Sequence, residues 1–137
     1  MLYRKLPHGD EQISIIGLGM GSIHEGSEDE IEKTVLMAMD HGINYFDMVA
    51  SEAKPYPCYA RAFAGKRDKV ILQMHFGALY DGGKYGWTQD LAKIKRTFEG
   101  QLKQLGTDYT DMGFVHCIDA VEDYQRVISS GLWDYML

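Results

Sequence analysis

The sequence predicts an α/β fold in which parallel strands alternate with helices. Short apolar runs rich in β-branched or aromatic residues alternate with segments whose apolar residues recur at helical spacing. The length of 137 residues, with 45% hydrophobic and 25% charged residues, fits one globular domain. Such strand–helix–strand units have right-handed crossovers and place ligand chemistry at the carboxyl ends of the strands.

The first elements are a β-hairpin, a helix and a strand. Residues 3–6 and 12–18 form the predicted hairpin around a Pro-His-Gly-Asp turn. Ser27 and Glu30 form a capping box that begins a helix, and Gly42 ends it. Its apolar residues are Ile31, Val35, Ala38 and Met39. Residues 43–47 then form a strand that ends at Asp47.

The second half repeats this pattern. The sequence predicts a helix over about residues 59–64, a strand over 69–74 that continues into His75, and a loop rich in glycine and tyrosine over 80–87. Thr88 is the predicted N-cap of a long helix that Gly106 ends. Its apolar face is Leu91, Ile94, Phe98, Leu102 and Leu105. A strand over 111–116 and a helix through Ile128, capped by Asp119 and Glu122, complete the pattern.

These units could be wound in two ways. A dinucleotide-binding open sheet is disfavoured, because the third glycine of a G-x-G-x-x-G motif is replaced by Ser22, and acidic residues occupy the first turn of the helix where a pyrophosphate would bind. The favoured alternative is the N-terminal half of a (β/α)8 TIM barrel, with the hairpin as a plug and about four βα units. Met20, Asp47, His75 and His116 then lie near the carboxyl ends of successive strands.

Composition limits the partners and the compartment. The 14 Lys and Arg residues against 20 Asp and Glu give a net charge of −6, without a basic cluster, which argues against nucleic acid and anionic membranes as partners. No apolar run has the roughly 20 residues of a membrane span. Two cysteines are too few for a disulfide framework or a four-cysteine metal site, so the cytoplasm is the expected compartment.

Five segments resemble, in order, the N-terminal half of the aldo/keto reductases. They are residues 3–6 (YRKL), 16–19 (IGLG), 42–47 (GINYFD), 105–111 (LGTDYTD) and 116–119 (HCID). The resemblance implies carbonyl reduction with NADP or NAD by an Asp, Tyr, Lys and His tetrad, acting on a small-molecule carbonyl substrate. It also implies that Met20 and Asp47 contact the cofactor, most of whose binding site belongs to later strands. The pattern is closest to the subgroup with a C-terminal iron–sulfur extension.

The tetrad carries over incompletely. Asp47 matches the family's Asp and His116 its His, whereas Glu52 replaces the Tyr and His75 replaces the Lys. We predict that Tyr56 acts as the proton donor from a longer loop. Protonated His75 beside Asp47 would supply the positive charge of the missing lysine. The predicted catalytic residues are therefore Asp47, Tyr56, His75 and His116.

Two other functions compete with this prediction. Asp47, His75 and His116 form a two-histidine, one-carboxylate set that could hold zinc or iron in a metal-dependent barrel enzyme. The two departures from the tetrad favour instead a non-catalytic scaffold or binding module.

The length sets a further expectation. A (β/α)8 barrel typically takes about 250 residues, so residues 1–137 are expected to form a single incomplete domain, a truncated half-barrel that ends inside a helix and is inactive alone. Its open strand edges predict a homo-oligomer, such as a dimer.

Overall fold

A computed structural model describes residues 1–49 and 54–137 of the chain. A four-stranded parallel sheet lies at its centre, preceded by the predicted hairpin of β1 (Tyr3–Lys5) and β2 (Gln12–Ser14). The sheet contains β3 (Leu18–Gly19), β4 (Tyr45–Met48), β5 (Ile71–Phe76) and β8 (Met112–Val115) in that order. Because each strand is added beside the one before it, the sheet follows the winding of a barrel and not that of an open dinucleotide-binding sheet.

Helices cover one face of this sheet. They are α1 (Glu28–Asp40), α2 (Pro55–Phe63), α3 (Leu91–Leu105), α4 (Val121–Ser129) and α5 (Leu132–Met136), with two short 3-10 helices at Ile23–Glu25 and Arg67–Lys69. The predicted capping box of α1 is confirmed, since Ser27 and Glu30 each bond the other's backbone amide. Gly106 ends α3 in the left-handed conformation, as predicted. No helix among residues 1–49 and 54–137 is long and apolar enough to span a bilayer.

Several predicted boundaries are wrong. The glycine- and tyrosine-rich segment is a β-hairpin of β6 (Ala78–Asp81) and β7 (Lys84–Trp87), not a loop. The N-cap of α3 is Asp90 and not Thr88; the Asp90 side chain accepts a hydrogen bond from the Lys93 backbone amide. Helix α4 begins after Ala120 without a side-chain cap, so Asp119 and Glu122 do not cap it.

Strand pleating sorts the residues of the sheet onto two faces. Phe46, Met48, Leu72 and Met74 are buried against α1, α2 and α3 in the main core. Phe76 belongs to a second cluster with residues of α3, α4 and α5. The alternate positions of β4, β5 and β8 point to the opposite side, which we call the inner face: Tyr45, Asp47, Ile71, Gln73, His75, Met112 and Phe114. This face corresponds to the interior of a barrel.

Candidate active site

Asp47 lies at the centre of the polar residues on the inner face. The parallel register sets Asp47 beside Gln73 and places His75 one pleat further along β5. The Asp47 Oδ1 atom lies 2.9 Å from His75 Nε2 and accepts a hydrogen bond of 2.8 Å from the Gln73 amide. The Tyr45 hydroxyl of β4 donates to the Gln73 side-chain carbonyl oxygen, so Gln73 is itself fixed and holds the carboxylate in place from β5. The side chain of His75 is 18% exposed and that of Asp47 is 38% exposed.

The hydrogen-bonded network continues from His75 to two further rings. His75 Nδ1 lies 3.2 Å from His116 Nδ1, and His116 Nε2 lies 2.5 Å from the Tyr85 hydroxyl. His116 follows β8 directly, and its amide donates to the Phe76 carbonyl at 2.9 Å. Tyr85 comes from β7, in the hairpin that the sequence does not predict. An unbroken row of polar atoms therefore joins Asp47 to an aromatic hydroxyl.

The surroundings of His116 and Tyr85, at the end of the row away from Asp47, favour the uncharged forms of both rings. Burial lowers the pKa of His116, and the charge of His75 lowers it further against the opposing effect of Asp119. His116 is therefore neutral near pH 7. Burial and the nearby Cys117 raise the pKa of Tyr85 above that of a free phenol, so the hydroxyl keeps its proton. Burial followed by the charge of Asp47 raises the pKa of Tyr45.

Three of the predicted site residues meet, and a fourth lies elsewhere. Asp47, His75 and His116 are joined by the contacts above. Tyr56 lies on α2 and not on a loop, because a proline is well tolerated in the first turn of a helix, where Pro55 and Pro57 fall. Its side chain is 1% exposed within the main core, and its hydroxyl donates to the Val49 carbonyl at 3.3 Å. Glu52, which stands at the family's tyrosine position, lies outside the described residues.

Met20 is also placed away from the inner face. Its amide donates to the Asp47 carbonyl at 3.0 Å, which ties the end of β3 to β4. Its side chain is fully buried in the main core. A side chain with no exposed surface cannot contact a nicotinamide ring. The cofactor contact at Met20 therefore stays a prediction, and in this arrangement only the backbone of Met20 is placed to make it.

Three members of the network are not predicted from the sequence. Gln73 lies within an apolar strand, and its role depends on a register that the sequence leaves open. Tyr45 precedes Asp47 by one pleat and is visible only as an aromatic strand residue. The Tyr85 position did have a signal, since Gly82-Gly83 between two aromatic segments is typical of a two-residue hairpin turn.

The same arrangement bears on the metal-site hypothesis. His75 has Asp47 at one ring nitrogen and His116 at the other, so the three side chains form a row and do not converge on one point. In the part of the chain that the structure describes, no three His, Cys, Asp or Glu residues are grouped to hold a metal ion.

Known proteins with similar sequences and folds share this architecture. The aldo/keto reductase family model matches residues 15–132. The protein Tas of Escherichia coli is 28% identical over 136 residues, an alignment that includes 85% of this chain and 38% of Tas.

Solved structures also match the fold over most of the chain. The aldo-keto reductase AKR11C1 of Bacillus halodurans, solved in its holo form, superposes with a TM-score of 0.71 and 26% identity over 96% of this chain and 48% of its own. An aldo/keto reductase of Klebsiella pneumoniae in complex with NADP and acetate gives a TM-score of 0.61 and 26% identity over 89% and 44%. The chain thus spans less than half the length of these relatives. With a family match over most of its residues, the chain belongs to the aldo/keto reductase family.

Proposed function

We propose that the protein is an NAD(P)H-dependent carbonyl reductase whose acid–base centre lies entirely in this chain. The ion-pair geometry of His75 and Asp47, with Nε2 and Oδ1 2.9 Å apart, carries the proposal. These two residues occupy the positions where the family resemblance implies Lys and Asp. A protonated imidazole donates from both ring nitrogens, so His75 can hold Asp47 and His116 at once and add a positive charge to the polar row.

The inner face fits one end of a nicotinamide cofactor. Phe114 is 45% exposed, and its ring lies roughly parallel to that of His75 at 6.0 Å, which leaves a flat aromatic surface next to the polar row. The seven described residues of this face include no lysine or arginine. We therefore assign the nicotinamide end to the inner face and place the phosphates away from it. When bound, the cofactor supplies the hydride.

The residues of the chain act on the carbonyl substrate and its proton. His116, neutral near pH 7, links His75 to the Tyr85 hydroxyl through its two ring nitrogens, and the substrate oxygen is oriented at the exposed Tyr85 end of the row. In its protonated form His75 adds positive charge to the row that ends at this oxygen, and Asp47 Oδ1, 2.9 Å from His75 Nε2, fixes the position of the ring. Because all these groups lie in one chain, we propose that the chain has slow reductase activity, in place of the inactivity expected from its length.

Replacing His75 tests this function. We expect slow, aldehyde-dependent oxidation of NADPH by the 137-residue protein. His75→Phe should lower the rate by about 100-fold or more, since it removes the charge beside Asp47. His75→Lys should restore it by returning the cation in its family form. The matched control is His8→Phe, because His8 lies exposed in the turn between β1 and β2. A wild-type protein that neither binds NADPH nor oxidises it would overturn the proposal and favour a scaffold.

A second copy of the chain is the proposed partner. In the described sheet, β3 and β8 form the two edges, and each pairs with a neighbour on one side only. Apolar side chains of α4 and α5 are also exposed, among them Tyr124, Ile128 and Trp133. Open edges and apolar surface both favour association. We expect sedimentation velocity to show a concentration-dependent dimer that Ile128→Glu weakens. One monomeric species at every concentration would contradict this.

A further inference from the structure

We propose that Tyr85 is the proton donor of this active site and that His116 and His75 return a proton to it. The inference rests on the proposed reductase function and adds to it a residue that the family resemblance does not supply. The tyrosine position of the tetrad is occupied by Glu52, and the Tyr56 hydroxyl is bonded to a backbone carbonyl in the core. Tyr85 instead ends the row that starts at Asp47, with its hydroxyl 2.5 Å from His116 Nε2.

The β6–β7 hairpin positions this phenol. Tyr85 pairs with Tyr80 across the antiparallel ladder, and the hairpin is closed by the Gly82-Gly83 turn. The rings of Tyr85 and His116 are perpendicular, with an interplanar angle of 88° and centroids 5.8 Å apart, which directs the hydroxyl at the edge of the imidazole. Tyr85 is 48% exposed, so a substrate can approach the phenol from the solvent side. Among the described rings of the network, Tyr85 is the one that both contacts His116 and is open to a substrate.

Counting hydrogens along the row gives two allowed arrangements. In the first, His75 is neutral. Asp47 is an acceptor, so His75 Nε2 carries hydrogen, and its Nδ1 accepts from His116 Nδ1. His116 Nε2 is then bare and accepts from the Tyr85 hydroxyl. Gln73 Nε2 also donates to Asp47 Oδ1. Gln73 Nε2 and His75 Nε2 are therefore 3.1 Å apart because both donate to the same oxygen, and they are not bonded to each other.

In the second arrangement, His75 is protonated, and the hydrogen bonds that join His75 to His116 and His116 to Tyr85 reverse their direction. His75 then donates from Nε2 to Asp47 and from Nδ1 to His116 Nδ1, so the hydrogen of neutral His116 lies on Nε2 and points to the Tyr85 oxygen. The phenolic hydrogen is left free for a substrate. The two arrangements differ by one proton and by the tautomer of His116.

Carbonyl reduction converts the second arrangement into the first. Tyr85 gives its phenolic proton to the carbonyl oxygen as the C=O π bond breaks and the alcohol forms; the hydride that the carbonyl carbon gains would come from a bound reduced nicotinamide. The Nε2 hydrogen of His116 then moves to the Tyr85 oxygen, and the Nδ1 hydrogen of His75 moves to His116. His75 ends neutral, and one proton from solvent restores it. The hydride and the proton account for both hydrogens of the alcohol, and the cofactor is oxidised.

The charges around the row suit this sequence. Asp47 faces His75 from β4, and Asp119 and Cys117 lie near His116 and Tyr85 from the segment after β8. The lowered pKa of His116 keeps it neutral, so that it passes one proton on and does not hold two. The raised pKa of Tyr85 keeps the phenol protonated until a substrate oxygen takes its hydrogen.

The catalytic test compares three tyrosines. Tyr85→Phe should lower kcat by about 100-fold or more, with NADPH affinity retained. Tyr80→Phe, on the partner strand of the same hairpin, should match wild type. Unchanged kcat in Tyr85→Phe would overturn the proposal while leaving the proposed function standing, and so would a loss confined to Tyr56→Phe. Absence of NADPH binding in wild type would instead overturn the proposed function.

A second readout needs no cofactor. Nitrogen NMR of labelled histidines should show the Nδ1–H tautomer of His116 at the pH where His75 is neutral, and the Nε2–H tautomer once His75 is protonated. In Tyr85→Phe the signals of His116 and of the more distant His75 should both change, whereas Tyr80→Phe should leave them unaltered. A single His116 tautomer across this pH range, or an unchanged His75 in Tyr85→Phe, would overturn the relay.

Discussion

Asp111→Ala is expected to lower the free energy of unfolding by about 2–3 kcal/mol, because it removes a hydrogen-bonded ion pair that is partly buried. Asp111 Oδ2 accepts the Leu72 amide at 2.8 Å and lies 2.9 Å from Arg67 Nη2. The exposed fractions of the Arg67 and Asp111 side chains are 19% and 30%. Loss of the carboxylate leaves the guanidinium without its counter-charge and the amide of a central strand without its acceptor.

Arg67 explains why this carboxylate matters beyond one ion pair. Its guanidinium also donates to the carbonyls of Val70 and Tyr109, each at 3.1 Å, and stacks on the Tyr109 ring with 4.0 Å from Cζ to the centroid. These contacts attach the segment before β8 to the start of β5. The position of β8, and so of His116 after it, depends on this attachment.

Urea denaturation with two companion variants would measure the effect. Asp108→Ala is the matched control, since Asp108 is exposed in the same segment, and surface changes of this kind stay within about 0.5 kcal/mol. Asp111→Asn keeps an acceptor for the Leu72 amide and removes only the charge, so its loss should be intermediate. Equal stabilities for Asp111→Ala and Asp108→Ala would show that the ion pair contributes nothing.

The sequence predicts the parts of the fold that depend on local rules. The capping box at Ser27 and the glycine at position 106 set helix ends by hydrogen bonds and backbone conformation within a few residues, and both are confirmed. The sequence also predicts that Asp47, His75 and His116 lie together at the carboxyl ends of their strands, because parallel strands align those ends whatever their exact register.

The missed features depend on contacts between distant segments. Tyr56 is predicted on a longer loop that brings it to the active site, yet Pro55 and Pro57 fall in the first turn of α2, where prolines cost no hydrogen bond. Gln73 stands next to Asp47 only because of the register between β4 and β5. Tyr85 reaches His116 only because a hairpin folds over the end of β8, 31 residues away in sequence.

A second large effect is expected at the residue where that hairpin leaves β5. Gly77 has a φ of +97°, and its carbonyl accepts the Thr88 amide at 2.8 Å, which closes the base of the hairpin. A Cβ at this position would lie 2.8 Å from the Thr88 carbonyl oxygen, a backbone atom that cannot rotate away. Gly77→Ala combines a left-handed conformation, at roughly 1–2 kcal/mol, with a backbone clash of similar size, so a total of about 3 kcal/mol is expected.

Gly83→Ala separates the two contributions. Gly83 has a φ of +79° in the turn of the same hairpin, and a Cβ there would meet no atom within 4 Å. Its loss of stability should therefore be the conformational part alone, about 1–2 kcal/mol, and the excess in Gly77→Ala measures the close approach to Thr88. Thermal or urea unfolding of both variants gives this difference, and equal losses would refute the close approach.

The same substitution links the stability of the hairpin to the active site. The Cβ built on Gly77 lies 3.9 Å from the Cβ of His116, so the displacement that relieves the clash must move the hairpin relative to the end of β8. Tyr85 would then leave hydrogen-bond range of His116 while Asp47 and His75, on β4 and β5, keep their contact. We expect Gly77→Ala to change the NMR signals of His116 as Tyr85→Phe does, and Gly83→Ala to preserve them.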